Sequence, residues 1–140
     1  MLDVGSVDLG DGTAALEIAS DALGPRSPVA AKSLASSLVI LGSPGAVYAC
    51  AGTLDASALT ATYYVQIVDS SAAVDGGGAI TCIAPPIRIA HTSGTDDYFS
   101  FGVFFPIGGL SCSAGAVVQL SSTLGTGTLA GAYMLAGGAR

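Results

Sequence analysis

Acid–base or metal chemistry has few places to sit in this chain. His91 is the sole histidine, in a polar loop that also carries Asp96 and Asp97. A histidine beside carboxylates can move protons or bind a metal, but catalysis needs a second oriented group and usually a nucleophile. No such group stands at a recognisable spacing, so His91 reads as a loop residue. Asp96-Asp97, and Asp69 with Asp75, could offer oxygens to Ca²⁺, yet no EF-hand loop or glycine-aspartate repeat surrounds them. Turn chemistry accounts for them. Cys50, Cys82 and Cys112 are odd in number and contain no C-x-x-C pair, which fits neither a zinc knuckle nor a disulfide framework. They are expected as small buried apolar residues. Gly76-Gly-Gly78 has no lysine and joins strand to strand, so it is a flexible turn and not a phosphate cradle. The aromatic run Tyr98 to Phe105 could present a carbohydrate platform; without any Trp, and with four Phe at strand spacing, it reads as core packing. A cupin-type enzyme would need several clustered histidines. No catalytic, cofactor-binding or metal residue is assigned, and neither an enzyme nor a cofactor is expected.

The elements that must position these residues are strands. Ala61 to Asp69 alternates apolar Ala61, Tyr63, Val65 and Ile67 with Thr62, Tyr64 and Gln66, the period of a half-buried strand. It is expected to be a central strand. Leu38-Val-Ile-Leu41 is a short strand ended by the turn Gly42-Ser-Pro-Gly45. Ala46 to Thr53 is apolar on both sides, so protein is expected against both of its faces. Ala79 to Ile83 and Ile87 to Ile89 flank Pro85-Pro86, whose missing N–H groups place that break at a sheet edge or between sheets. In Tyr98 to Phe105 the residues Phe99, Phe101, Val103 and Phe105 share the core face, opposite Tyr98, Ser100, Gly102 and Phe104. Leu110 to Gly115, Ala116 to Thr123 and Leu129 to Leu135 complete the set. The expected fold class is all-β: a β-sandwich or jelly roll of about eight short antiparallel strands, residues 34–140, with minimal helix and an extended acidic N-terminal arm, residues 1–33.

Composition limits the partners. Hydrophobic residues make up 51% of the 140 positions and charged ones 10%, against about 25% in typical domains. A surface so poor in charge is most easily hidden in an assembly. Net charge is −6, and Asp3, Asp8, Asp11, Glu17 and Asp21 precede the first basic residue. With only Arg26, Lys32, Arg88 and Arg140 to meet phosphates, nucleic acid is not expected as a partner. No apolar run reaches the roughly 18 residues of a membrane span, so no membrane partner is expected either. The start, Met1 to Asp8, carries two acids and no base, unlike a signal peptide.

Ala35-Ser-Ser-Leu-Val-Ile-Leu with Ser43-Pro-Gly-Ala-Val-Tyr, Tyr63-Tyr-Val-Gln-Ile-Val-Asp69 with Val74-Asp-Gly76, Pro85-Pro-Ile, Tyr98-Phe-Ser-Phe-Gly and Gly115-Ala-Val-Val-Gln-Leu-Ser-Ser-Thr123 together resemble a family of small structural proteins encoded by tailed bacteriophages. The similarity covers about Leu34 to Leu135 and leaves out the acidic arm. The region from Pro85 to Asp97 is longer than the family pattern, which puts the rim loops in doubt. The resemblance implies a non-enzymatic virion component assembled in the host cytoplasm, a capsid decoration or cement protein or a head-fibre component. Its implied partners are further copies of itself, a trimer favoured, and other virion proteins such as the major capsid protein. The alternative is a tail or fibre component that binds a host receptor or glycan.

Overall fold

A computed structural model describes residues 4–8, 14–18, 27–30, 35–55, 61–90 and 98–140. Among them are twelve strands, β1(Val4–Asp8), β2(Ala14–Ile18), β3(Pro28–Ala30), β4(Ser37–Leu41), β5(Gly45–Val47), β6(Ala49–Asp55), β7(Thr62–Val68), β8(Ile87–Ala90), β9(Tyr98–Phe104), β10(Leu110–Cys112), β11(Ala116–Ser121) and β12(Tyr133–Ala139), and no helix. Eight strands build two four-stranded antiparallel sheets, ordered β4-β11-β7-β8 and β3-β12-β6-β9. The fold is an all-β sandwich. β5 and β10 form a separate short ladder, and β1 pairs with β2 as a hairpin within the acidic segment.

Alternation decides what each sheet buries. Val65 and Ile67 from β7, Val118 and Leu120 from β11 and Ile40 from β4 meet Cys50 and Leu54 from β6, Phe101 from β9 and Met134 and Ala136 from β12 in one apolar core. Val47 and Cys112 extend that core into the β5–β10 ladder. Phe99, Val103 and Phe105 pack against it, as the odd positions of the aromatic run predict. β7 is an interior strand, as expected, though both of its faces are covered where the alternation reads as half-buried, and β8, just after Pro85-Pro86, is an edge strand. The chain also crosses between sheets: Ala35 exchanges backbone hydrogen bonds with Met134 of β12, and two residues later β4 joins β11.

Four expectations need correction. Ala79 to Ile83 is no strand; it contributes single bridges, Ala79 to Thr126 and Cys82 to Val68. The last strand begins at Tyr133, not Leu129, because Gly131 and the turns before it interrupt the ladder. Protein does not cover both sides of Ala46 to Thr53, since Ala51 is exposed on the outer face of β6. The doubly covered strands are instead β7 and β11, whose outward residues Gln66, Val68, Val117, Gln119 and Ser121 are all buried. Within the segment read as an arm, Pro28–Ala30 already pairs with β12, so the sheet begins there.

Candidate functional site

The cover over β7 and β11 is a third layer made of loops. Residues 70–84 and 122–130 are laced by backbone hydrogen bonds, Gly77 N to Gly127 O at 3.2 Å, Gly127 N to Gly78 O at 2.8 Å and Ile80 N to Gly125 O at 3.2 Å. Beneath it, Gln66 and Gln119 face each other across the β7–β11 ladder, both 0% exposed. Each clamps one loop. Gln119 Oε1 accepts from Val74 N at 3.1 Å, and its Nε2 donates to Val74 O at 3.0 Å and to Ser121 Oγ at 3.2 Å. Gln66 Oε1 accepts from Gly125 N at 2.9 Å, and its Nε2 donates to Thr126 O at 3.3 Å. A side-chain amide can satisfy a backbone donor and acceptor at once, which makes glutamine suited to burial against a loop.

The candidate chemical residues are absorbed in the same way. Asp69, at the end of β7, accepts from Ser113 Oγ at 2.7 Å, Ala114 N at 2.8 Å, Ser113 N at 3.1 Å and Gly115 N at 3.3 Å. The Ser113 hydroxyl first, and then these backbone donors, hold its carboxyl down at about 2. The turn it grips needs glycine at position 115, where φ is +150° and an added Cβ would lie 2.8 Å from Ser70 O. Asp75 Oδ1 accepts from Gly76 N at 2.8 Å and from Leu129 N at 3.2 Å, another loop-to-loop tie. No group of three or more His, Cys, Asp or Glu among the described residues could hold a metal ion. His91, Asp96 and Asp97 lie outside the described residues.

The three cysteines are free thiols. Cys50 and Cys112 are buried, as expected, and burial pushes the Cys50 thiol up to about 11. Cys112 is raised by burial and then by the Asp69 charge, and Cys82, half-buried beside Gln66 Oε1 at 3.8 Å, is raised by burial. Raised thiols are poor nucleophiles near neutral pH.

Asp69 makes stability depend on acid in a definite direction. A carboxyl whose folded pKa lies below its unfolded value, about 3.9, stabilises the fold fully above that value and loses the contribution as pH falls toward the folded value. Urea midpoints of the wild type are therefore expected to fall between about pH 4 and pH 2. Asp69→Asn should have a lower midpoint at neutral pH and a shallower fall across that window. An identical fall in both proteins would remove Asp69 as its source.

Beyond the exposed Val39, Ile107 and Leu124, which lie elsewhere, the exposed large hydrophobic residues gather on the outer face of the β3-β12-β6-β9 sheet. By register its rows are Tyr133, Asp55 and Tyr98; Leu135, Thr53 and Ser100; Gly137, Ala51 and Gly102; and Ala139, Ala49 and Phe104. Tyr98 is 64% exposed, Phe104 81%, Tyr133 51% and Leu135 45%. One ionisable acid, Asp55, and no base occur in those rows. The carbohydrate-platform test and the core test thus divide one strand: the odd residues of β9 are core, while Tyr98 and Phe104 are surface. Alternation places Phe104 opposite the core face, and the even positions of β9 and the odd positions of β12 carry the signal for this outer face. Comparison with protein-family models, curated proteins and solved structures finds no match for the chain.

Proposed function

We propose that this chain is a non-enzymatic structural protein of a tailed-phage virion, a capsid decoration or cement protein or a head-fibre component. The observation that carries the reading is the sheet face with four large exposed apolar or aromatic residues, one carboxylate and no basic residue. Such a patch marks a surface that another protein covers. Two further features support it. The eight sandwich strands, taken in chain order, fall into one sheet of first, eighth, third and sixth and another of second, seventh, fourth and fifth. We read that order as a jelly roll, an architecture used by viral capsid and lectin domains. The sequence resemblance to phage structural proteins points the same way. The carboxylates and buried amides that could have formed a site are committed to holding loops.

The acidic segment offers a test. A chain beginning at residue 27 retains all eight sandwich strands and is expected to melt cooperatively yet co-sediment poorly with procapsid or tail particles. A chain beginning at residue 34 also loses β3 from β12 and should melt several degrees lower. Undiminished co-sedimentation of the shorter chains would show that the acidic segment takes no part in assembly.

One observation favours a second reading, a receptor- or glycan-binding module: the half-buried Asp55 lies between the exposed rings of Tyr133 and Tyr98 in one row. A glycan array that responds to the wild type and not to Tyr98→Ala would move the assignment there; a blank array removes it.

A further inference from the structure

We propose that two copies of this chain pair β9 against β9 about a two-fold axis at Phe101, joining their β3-β12-β6-β9 sheets into one eight-stranded sheet. The inference deepens the assembly reading by naming the partner of one edge.

β9 ends its sheet, and among the described residues no strand pairs with its outer edge. The direction of its backbone groups follows from one hydrogen bond. Phe105 N donates to Tyr48 O at 2.9 Å, so in an unbroken antiparallel ladder the odd residues of β9 bond to β6 and the even residues point N–H and C=O outward. The even residues are Tyr98, Ser100, Gly102 and Phe104, all exposed. Edge strands of monomeric proteins are normally blunted by lysine, proline, a bulge or brevity. β9 has none of these: it is seven residues, YFSFGVF, uncharged, in continuous register with β6 from Tyr98 to Phe104. The other edges of the two sheets are shorter. β3 has three residues and starts with Pro28, β8 has four and carries Arg88, and β4 has five.

The pattern of β9 is self-complementary. With the axis at Phe101, Tyr98 lies opposite Phe104 of the second copy twice over, and Ser100 lies opposite Gly102. All four even residues then form hydrogen-bonded pairs, about eight bonds in all. Sliding the register by two residues leaves Tyr98 or Phe104 unmatched. Aromatic pairs across strands are favourable, and no like charges meet. Even complete burial of the four aromatic side chains across the axis, at about 150–250 Å² apiece, would supply only about 600–1,000 Å², less than the roughly 1,200 Å² of stable interfaces, so the pair is weak and should dissociate on dilution. A three-fold ring would instead require β9 to meet one of the shorter edges.

The test uses the full chain in two charge variants. In Tyr98→Lys with Phe104→Lys, every self-pairing sets lysine opposite lysine; in Tyr98→Glu with Phe104→Glu it sets glutamate opposite glutamate. Light scattering at micromolar concentration should give twice the 13.6 kDa chain mass for the wild type and the single-chain mass for each variant. An equal mixture of the two variants should recover the doubled mass, because lysine now faces glutamate, and this recovery also shows that both variants are folded. A monomeric wild type, variants that keep the wild-type mass, or a mixture that stays monomeric would each overturn the pairing. Co-sedimentation of the wild-type chain with particles reads the assembly proposal separately: a wild type that is monomeric in solution yet still incorporated contradicts the β9 pair alone.

Discussion

Replacing Gln119 with leucine is expected to lower the melting temperature by roughly 10 °C. Leucine is close to glutamine in size but has no polar side-chain atoms. Val74 N and Val74 O, now held at 3.1 and 3.0 Å, would lose their partner, as would Ser121 Oγ. A buried donor or acceptor left unmade costs about 1–3 kcal/mol. Two or three of them cost on the order of 3–5 kcal/mol out of a total stability of about 5–15 kcal/mol. The effect should reach the loop layer first. Hydrogen exchange at residues 72–78 should accelerate before that of β7 or β11, because Gln119 is what fastens Val74 down. Gln119→Leu is checked by thermal unfolding together with exchange; a shift under about 2 °C with unchanged loop protection would mean that water replaces the amide freely and that the clamp is not structural.

The second large effect lies in the other sheet. Gly52 sits in β6 directly across from Phe101 and Ala136. A Cβ there would stand 2.7 Å from Phe101 Cζ and 2.9 Å from Ala136 Cα, and would collide with the Leu135 carbonyl oxygen. The Phe101 ring occupies the space a side chain would need, and the backbone of β12 closes the other side. Gly52→Val therefore must displace both a core aromatic ring and a paired strand. Overpacking of this kind costs typically about 1–3 kcal/mol, more when backbone has to move. We expect a loss of about 3 kcal/mol or more in denaturant unfolding, with Gly52→Ala intermediate. Pairing Gly52→Ala with Phe101→Leu should recover part of the loss if the ring is the main obstacle. If Gly52→Val melts like the wild type, the close approach of β6, β9 and β12 is wrong.

These two sites also mark where sequence pattern stops being informative. The strands themselves were legible because their apolar residues recur every second position over five to seven residues: Val65 and Ile67, Val118 and Leu120, Phe99 and Phe101 all point where alternation sends them. The edge position of β8 is one of the two places, a sheet edge or a crossing between sheets, that Pro85-Pro86 allows, since proline cannot donate to a ladder. Gln66 and Gln119 were not legible. A polar residue at the outward phase of a strand reads as solvent-facing, and only the laced loops 70–84 and 122–130 reverse that. Those loops are held by side chains from strands far away in sequence, such as Val74 by Gln119, so no local pattern encodes them. The same reason explains Ala79 to Ile83, whose backbone makes single bridges and whose Ile83 side chain packs on the core without forming a strand. The apolar face around Tyr98, Phe104, Tyr133 and Leu135 needs the register of three strands before it becomes one surface.

The proposal that this chain is a virion component is tested most directly by mass spectrometry of gradient-purified phage particles produced in cells that carry its gene. The account predicts peptides of the chain in copy number proportional to a capsid or fibre protein, with Tyr98 and Phe104 protected from hydroxyl-radical oxidation in the particle and oxidised in the free protein. Particles that lack the chain, or that carry it with both residues oxidised as in the free state, would contradict it.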